Sequence, residues 1–246
     1  MIDADRVRSA AYNNAVWCDS VCRAHGLIGE FAPGIWLNRH QTPQFYPNAV
    51  TISDQVDSAV SIRALIAAKV PGQLSVKDSF SALDLAPLGF SVLFEAQWIY
   101  RPASMPLPRS RREDVRWAKI DPSSDLVKWE VAWRGEPAEE STSPMSRIFM
   151  PSLLDDPDIT VIAAYRDDQI VAGVIANRTG DVVGMSNLFA PPHDAGELGI
   201  GCLAALIDAF PDLPIVGYEG GSALKAAQRM GFEAIGPLRV WLQINS

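Results

Sequence analysis

One succession of landmarks occurs twice in this chain of 246 residues, so whatever fold it adopts must hold two related segments. PGQLSV at residues 71–76 is echoed by PDLPIV at 211–216, with the same spacing from proline to valine. A Ser-Ala-Leu follows each, ending at Leu83 and at Leu224. Then comes a Gly-Phe, at Gly89 and Phe90 and again at Gly231 and Phe232, and a tryptophan closes each series, Trp98 and Trp241. Short apolar runs bounded by proline and glycine read as strands, so each series predicts a short strand, a helix and a longer strand entered at Gly-Phe. Ahead of the second series, Leu203, Leu206, Ile207 and Phe210 recur at the spacing of one helix face, and Ile62, Leu65 and Ile66 begin the same pattern ahead of the first. Apolar strands are expected before those helices, at 49–52 and 182–189. The shared unit is β-α-β-α-β, over 48–100 and 182–242, with Phe90 corresponding to Phe232 and Trp98 to the neighbourhood of Trp241.

The second copy has more in front of it. Asp121 and Pro122 suit the cap and first turn of a helix on which Leu126, Trp129 and Trp133 share a face. ITVIAAY at 159–165 and QIVAGVIAN at 169–177 read as strands joined by a tight turn at Asp167 and Asp168, and RTGD at 178–181 turns the chain into the next strand. The order β-α-β-β-β-α-β-α-β is complete only in the C-terminal half. The reading is an α/β fold with an α+β mixed sheet: an N-terminal unit over 1–101, a Pro/Arg-rich linker over 102–114 and a C-terminal domain over 115–246. Arg101, Arg109, Arg111 and Arg112, among Pro102, Pro106 and Pro108, read as part of a solvated, stiff spacer.

With 48% hydrophobic and 20% charged residues the chain can bury real cores. A formal charge of -8 repels phosphate backbones, so a nucleic-acid partner is not expected. Apolar runs fall short of a membrane span and residues 1–10 carry charges where a signal peptide needs an apolar core, so the expectation is a cytoplasmic protein without a membrane partner. Three cysteines, an odd number, fit a reducing compartment without disulfides. Cys18, Cys22 and His25 fall on one face of an expected helix, but a single cluster without a second cysteine pair reads as small buried hydrophobes, and no metal is expected. His40 and His193 have no evident partners.

The order of elements in the C-terminal half resembles the GCN5-related N-acetyltransferase (GNAT) fold. QIVAGVIAN looks like the family's third strand, with Gly173 at its small position; LFAPPHDAGELGIGCLAALI, at 188–207, looks like the acyl-CoA segment of strand, turn, glycine loop and helix. ALKAAQRMGF, at 223–232, looks like the next helix and its Gly-Phe strand entry. The N-terminal copy resembles a shortened version of the same fold, giving two GNAT-like units in tandem. The resemblance implies acetyl-CoA as co-substrate, with backbone groups at Leu188 and Phe189 receiving the pantetheine arm and Gly196, Gly199, Ile200, Gly201 and Cys202 around the pyrophosphate. Unpaired N-H groups at a helix start carry partial positive charge, which gives such a segment its affinity for phosphate.

The pattern departs from the family at three places. Gly196 stands where the family's loop begins with Arg or Gln, Gly220 where an Asn often starts the next helix, and Ala227 where a Tyr acid is frequent. Glu219, at the expected end of a strand, is the candidate general base, and Tyr218 the candidate substitute acid. Both also have plain readings, Glu219 as a loop acid and Tyr218 as packing. Ser186 and Asn187 could hydrogen-bond a substrate or satisfy the strand end. The reading is direct acyl-CoA-dependent N-acetylation of an amine on a small molecule or peptide, with acceptor contacts sought at 134–150. A non-catalytic module binding CoA, another ligand or a protein partner is the alternative, and a homodimer is left open.

Overall fold

The computed structural model describes residues 4–55, 58–107, 114–121, 123–135 and 147–244. They form five α-helices and eleven strands and divide into two compact units. The first comprises Met1–Tyr100, Gly217–Lys225 and Glu233–Ser246, the second Arg101–Val216 and Ala226–Phe232. By this division residues 217–225 and the last strand of the chain go with the first unit.

In the first unit, helix α1 (Ala4–Ala24) precedes a hairpin of β1 (Glu30–Ala32) and β2 (Ile35–Leu37), then β3 (Ala49–Thr51), α2 (Ala59–Ala67), β4 (Ser75–Asp78) and β5 (Phe90–Arg101). The last strand of the chain, β11 (Glu233–Gln243), lies antiparallel between β4 and β5, which gives the order β1-β2-β3-β4-β11-β5. One face of this sheet covers a core of Ile35, Ile62, Leu65, Val76, Phe90 and Trp241. Trp36 and Trp98 are fully buried, and their indole N-H groups donate to Asp19 Oδ1 (2.9 Å) and to the Ser79 carbonyl (2.7 Å). Burial of that kind requires a partner for the N-H, and both rings have one.

The first copy reproduces the predicted order except at its second helix. After β4 the Asp78 carboxylate accepts from the backbone N-H groups of Phe80, Ala82 and Leu83, and Ser81 is left-handed at φ 50°. Those amides serve a turn rather than a helix, and only a 3-10 turn at Ala86–Leu88 precedes β5. The two Gly-Phe strands meet as partners: β5 and β11 pair antiparallel from Phe90 opposite Gln243 to Tyr100 opposite Glu233. Trp98 faces Gly236, while Trp241 faces Val92.

In the second unit, β6 (Arg116–Lys119), α3 (Ser123–Arg134), β7 (Ile159–Arg166), β8 (Gln169–Thr179), β9 (Val182–Phe189) and α4 (Ala195–Ala209) follow one another, then the start of β10 (Ile215–Glu219) and the end of α5 (Gly221–Arg229). The sheet order is β10-β9-β8-β7-β6, with β9 and β10 parallel and the other pairs antiparallel. The β7–β8 turn has Asp167 at φ 48° and Asp168 at φ 60°, as a two-residue hairpin requires. Trp129 on α3 lies between Phe149 and Phe189, edge to face at 5.5 and 5.2 Å. Its indole donates to the Ile162 carbonyl at 2.9 Å. A Cβ on Gly173 would collide with that indole and come within 2.7 Å of the Ile162 carbonyl oxygen, which explains the small residue there.

Arg101 does not belong to a solvated spacer. It is buried, and its guanidinium donates to the carbonyls of Met230 (2.9 Å), Met105 (2.9 Å) and Pro106 (3.1 Å). Arg109, Arg111, Arg112 and Pro122 lie outside the described residues. Cys18 and Cys22 are buried on α1, where burial pushes the Cys18 thiol up to about 11 and the Cys22 thiol higher still; His25 follows the helix. All three cysteines are free. Among the described residues no group of three or more His, Cys, Asp or Glu side chains could hold a metal, and no helix is long and apolar enough to cross a membrane.

Candidate functional site

The candidate residues fall in two groups. Leu188, Phe189, Gly196, Gly199, Ile200, Gly201 and Cys202 lie on β9 and α4 in the second unit, and Tyr218 and Glu219 lie at the end of β10 in the first.

Strand β9 is irregular where the cofactor segment was expected. Ile175 of β8 faces Ser186, yet Gly173, two residues earlier, faces Phe189 three residues further on, so β9 carries one extra residue. Asn187 takes up that residue at φ 54°, a left-handed conformation that Asn tolerates better than most. A bulge of this kind bends the strand and breaks the regular ladder. The parallel pairing of β9 with β10 covers Val183 with Ile215 and Gly184 with Val216. Phe189 packs against Trp129, so its side chain serves the core and only its backbone is offered for binding.

The glycines are not in a loop. Helix α4 begins at Ala195, so Gly196, Gly199, Ile200, Gly201 and Cys202 all lie within it, and the connecting loop is residues 190–194. Gly199 and Gly201 are buried, and packing demands glycine at Gly201, where a Cβ would run into the Trp117 ring; one on Gly199 would make an ordinary contact with Met230 Sδ at 3.6 Å. Only Gly196 opens onto space, with nothing within 4 Å of a Cβ there. Cys202 is buried and its thiol is raised by desolvation.

Asp194 holds the cap position of α4 but makes no side-chain cap hydrogen bond. Its carboxylate instead accepts from Arg166 Nη2 at 3.1 Å and sits 3.7 Å from His193 Nε2. Arg166, at the end of β7, also donates to Asp114 at 3.0 Å. A cation therefore stands at this helix start although Gly196 replaces the family's usual one. The sequence carried no signal for it, since Arg166 is 28 residues away from Asp194 and nothing in its flanking run marks a ligand.

Tyr218 has the edge-to-face contact of Trp98 on one side, at 5.6 Å, and the Lys77 ammonium 4.2 Å from its ring centroid. It lines a cavity of about 660 Å³ in the first unit. Glu219 is half-buried, accepts no hydrogen bond from the described residues, and is raised above the usual glutamate range by desolvation. A Cβ on Gly220 would lie 3.4 Å from the Glu95 carbonyl oxygen, so a larger residue such as the family's Asn has little room. Ala227 is buried, and its carbonyl accepts from Met230 and Phe232; a tyrosine there would not fit. Most of the expected acceptor segment, 136–146, lies outside the described residues.

No protein-family model matches the sequence, and neither does any curated protein. Solved structures do match. A GCN5-related N-acetyltransferase from Kribbella flavida is similar over 100% of this chain and 97% of its own, with a TM-score of 0.68 at 14% identity. A conserved protein of unknown function from Staphylococcus epidermidis gives 0.57 at 16% identity, over 86% of this chain and 84% of its own. One from Novosphingobium aromaticivorans, assigned to the GNAT family, gives 0.55 at 12% identity, over 94% and 97%. The chain thus has the GNAT fold, an α/β fold with a mixed sheet, as the order of its elements implied.

Proposed function

We propose that this protein is an acyl-CoA-dependent N-acetyltransferase that transfers directly to an amine of a small molecule or peptide. The observation that carries the reading is the bulged strand β9 leading, through residues 190–194, into an α4 start that its own cap residue leaves uncapped. First-turn amides without a side-chain cap suit a pyrophosphate, and the open space at Gly196 leaves room for one. Backbone groups of Leu188 and Phe189 receive the pantetheine arm, and Arg166 supplies nearby positive charge. Glu219 takes the proton released as the amine adds to the thioester carbonyl, and Tyr218 is the candidate donor to the leaving thiolate. Backbone N-H groups near the bulge bear the developing oxyanion.

A second reading, a GNAT-fold module without transferase activity, is favoured by the charges at the same helix start. Asp194 and Glu197 place two carboxylates there, and Arg166 already has two carboxylate partners. Calorimetric titration with acetyl-CoA tests the site without knowledge of the acceptor, and release of free CoA with a panel of amines then separates the readings. The transferase reading expects binding that Gly199→Val abolishes without unfolding the chain. Absence of binding to the parent protein, or unchanged affinity in the variant, removes the proposed site.

A further inference from the structure

The cavity in the first unit has a polarity that the acetyltransferase reading does not use. Lys77, 5% exposed, is part of its lining. Its ammonium donates to Asn14 Oδ1 at 2.8 Å and faces the Tyr218 ring, both neutral partners, and no carboxylate among the described residues pairs with it. Burying a cation without a counter-charge is costly, and such a group retains donor capacity for an anion. An ammonium has three N-H donors, and one is engaged by Asn14.

Several other polar groups on the walls are engaged by the protein, while the buried Tyr46 hydroxyl has no hydrogen-bond partner among the described residues. Asn48 donates to the carbonyls of Asn38 and His40 and accepts from Ser75 N-H; Gln73 donates to the Gln243 carbonyl, and Thr42 to the Tyr46 carbonyl. Three large hydrophobics on its lining stand open to solvent: Phe45, Leu93 and Phe94 are 71%, 54% and 40% exposed. Leu93 is there because β5 has an irregularity: Phe94 faces Val240 and Val92 faces Trp241, which leaves Leu93 as the extra residue of a bulge. A cavity lined by both a buried cation and exposed apolar side chains suits a ligand that is charged in one part and apolar in another.

We propose that this cavity binds a small monocarboxylate with an apolar body, the carboxylate on Lys77 and the body against Leu93, Phe94 and Phe45. One ammonium balances one negative charge, so a carboxylate fits where a phosphate dianion would leave charge uncompensated. The volume lies within the usual range for small-molecule sites. Tyr218 on its wall is also the candidate acid of the proposed transfer, but the binding itself needs no CoA.

The test uses the full chain and two matched probes, 3-phenylpropanoate and its uncharged amide 3-phenylpropanamide, titrated by calorimetry without any CoA. The acid should bind about tenfold or more tighter than the amide, since only the acid gives Lys77 a counter-charge. Lys77→Met should remove most of that difference and leave the amide's affinity unchanged. Leu242→Trp, at a half-buried position on the wall, should weaken both probes by about tenfold while the near-ultraviolet circular dichroism stays that of the parent. Should Lys77→Met fail to fold, the ratio in the parent and the Leu242→Trp result decide. Equal affinities for acid and amide, no binding of either at millimolar concentration, a preference kept in Lys77→Met, or undiminished binding in Leu242→Trp would each overturn the proposal.

Discussion

At Glu219 a carboxylate is half-buried and its proton is held more tightly than in water, because burial disfavours the charged form. If it is the base, turnover should rise with pH through a midpoint above the ordinary glutamate value of about 4.3, and Glu219→Gln should lose about a hundredfold to ten-thousandfold in rate while acetyl-CoA still binds. The same shift has a signed effect on stability. A folded-state pKa above the unfolded one contributes stability that is present below about pH 4 and is lost as pH rises through the folded value. Glu219→Gln should therefore melt at a higher temperature than the parent at pH 8, with the difference closing in acid, as scanning calorimetry can read. Gly173 is set by space alone. A Cβ there would meet the Ile162 backbone carbonyl and Phe189 at less than 3 Å, neither of which can yield freely, so Gly173→Ala should cost about 1 to 3 kcal/mol in urea unfolding. The resemblance marked that position as small; Trp129, which makes it so, was visible in the sequence only as one face of a helix.

On the scale of elements, the strands and helices with strong periodicity were legible. β9 falls at the predicted residues, β7 and β8 begin where expected, and the Asp167–Asp168 turn has the predicted form. What escaped were features made by partners remote in sequence. The first copy was expected to continue as a helix after Ser-Ala-Leu, but Asp78 captures three amides of that segment, and no local pattern announces an acid used in this way. The glycines at 196, 199 and 201 read as a loop because glycine is a poor helix former, yet all three lie in a helix and packing against Trp117 requires the one at 201. Glu130 on α3 is a similar case. Buried and paired with Arg134 at 2.8 Å, it also accepts the N-H groups of Ile148 (2.9 Å) and Phe149 (3.0 Å), so one side chain fastens a segment well beyond the helix. Glu130→Ala removes the Glu130 acceptor from two buried backbone amides and a guanidinium. A loss of about 3 to 5 kcal/mol is expected, with faster amide exchange at Ile148 and Phe149 than at β7.

For the molecule as a whole, the sequence reading assigned the end of the chain to the C-terminal half, whereas β11 groups with the first unit. Landmark order could not show otherwise, because pairing partners are chosen by register and edge availability, which a single strand's pattern does not encode. β11 is placed by its neighbours: Arg239 to Leu242 pair with Ser75 to Asp78 on one side, and the strand pairs along almost its whole length with β5 on the other. A fragment of residues 115–246 would keep β11 and lose both partners, exposing Ile235, Leu238, Val240 and Trp241, all buried in the full chain, together with two unpaired strand edges. We expect that fragment to aggregate, or to elute in size exclusion as large species with little near-ultraviolet dichroism. Co-expression with residues 1–114 should recover a soluble complex, because β4 and β5 return both ladders to β11. A soluble, monomeric 115–246 fragment with native-like dichroism would instead establish the C-terminal half as an autonomous domain, with β11 as a strand it can do without.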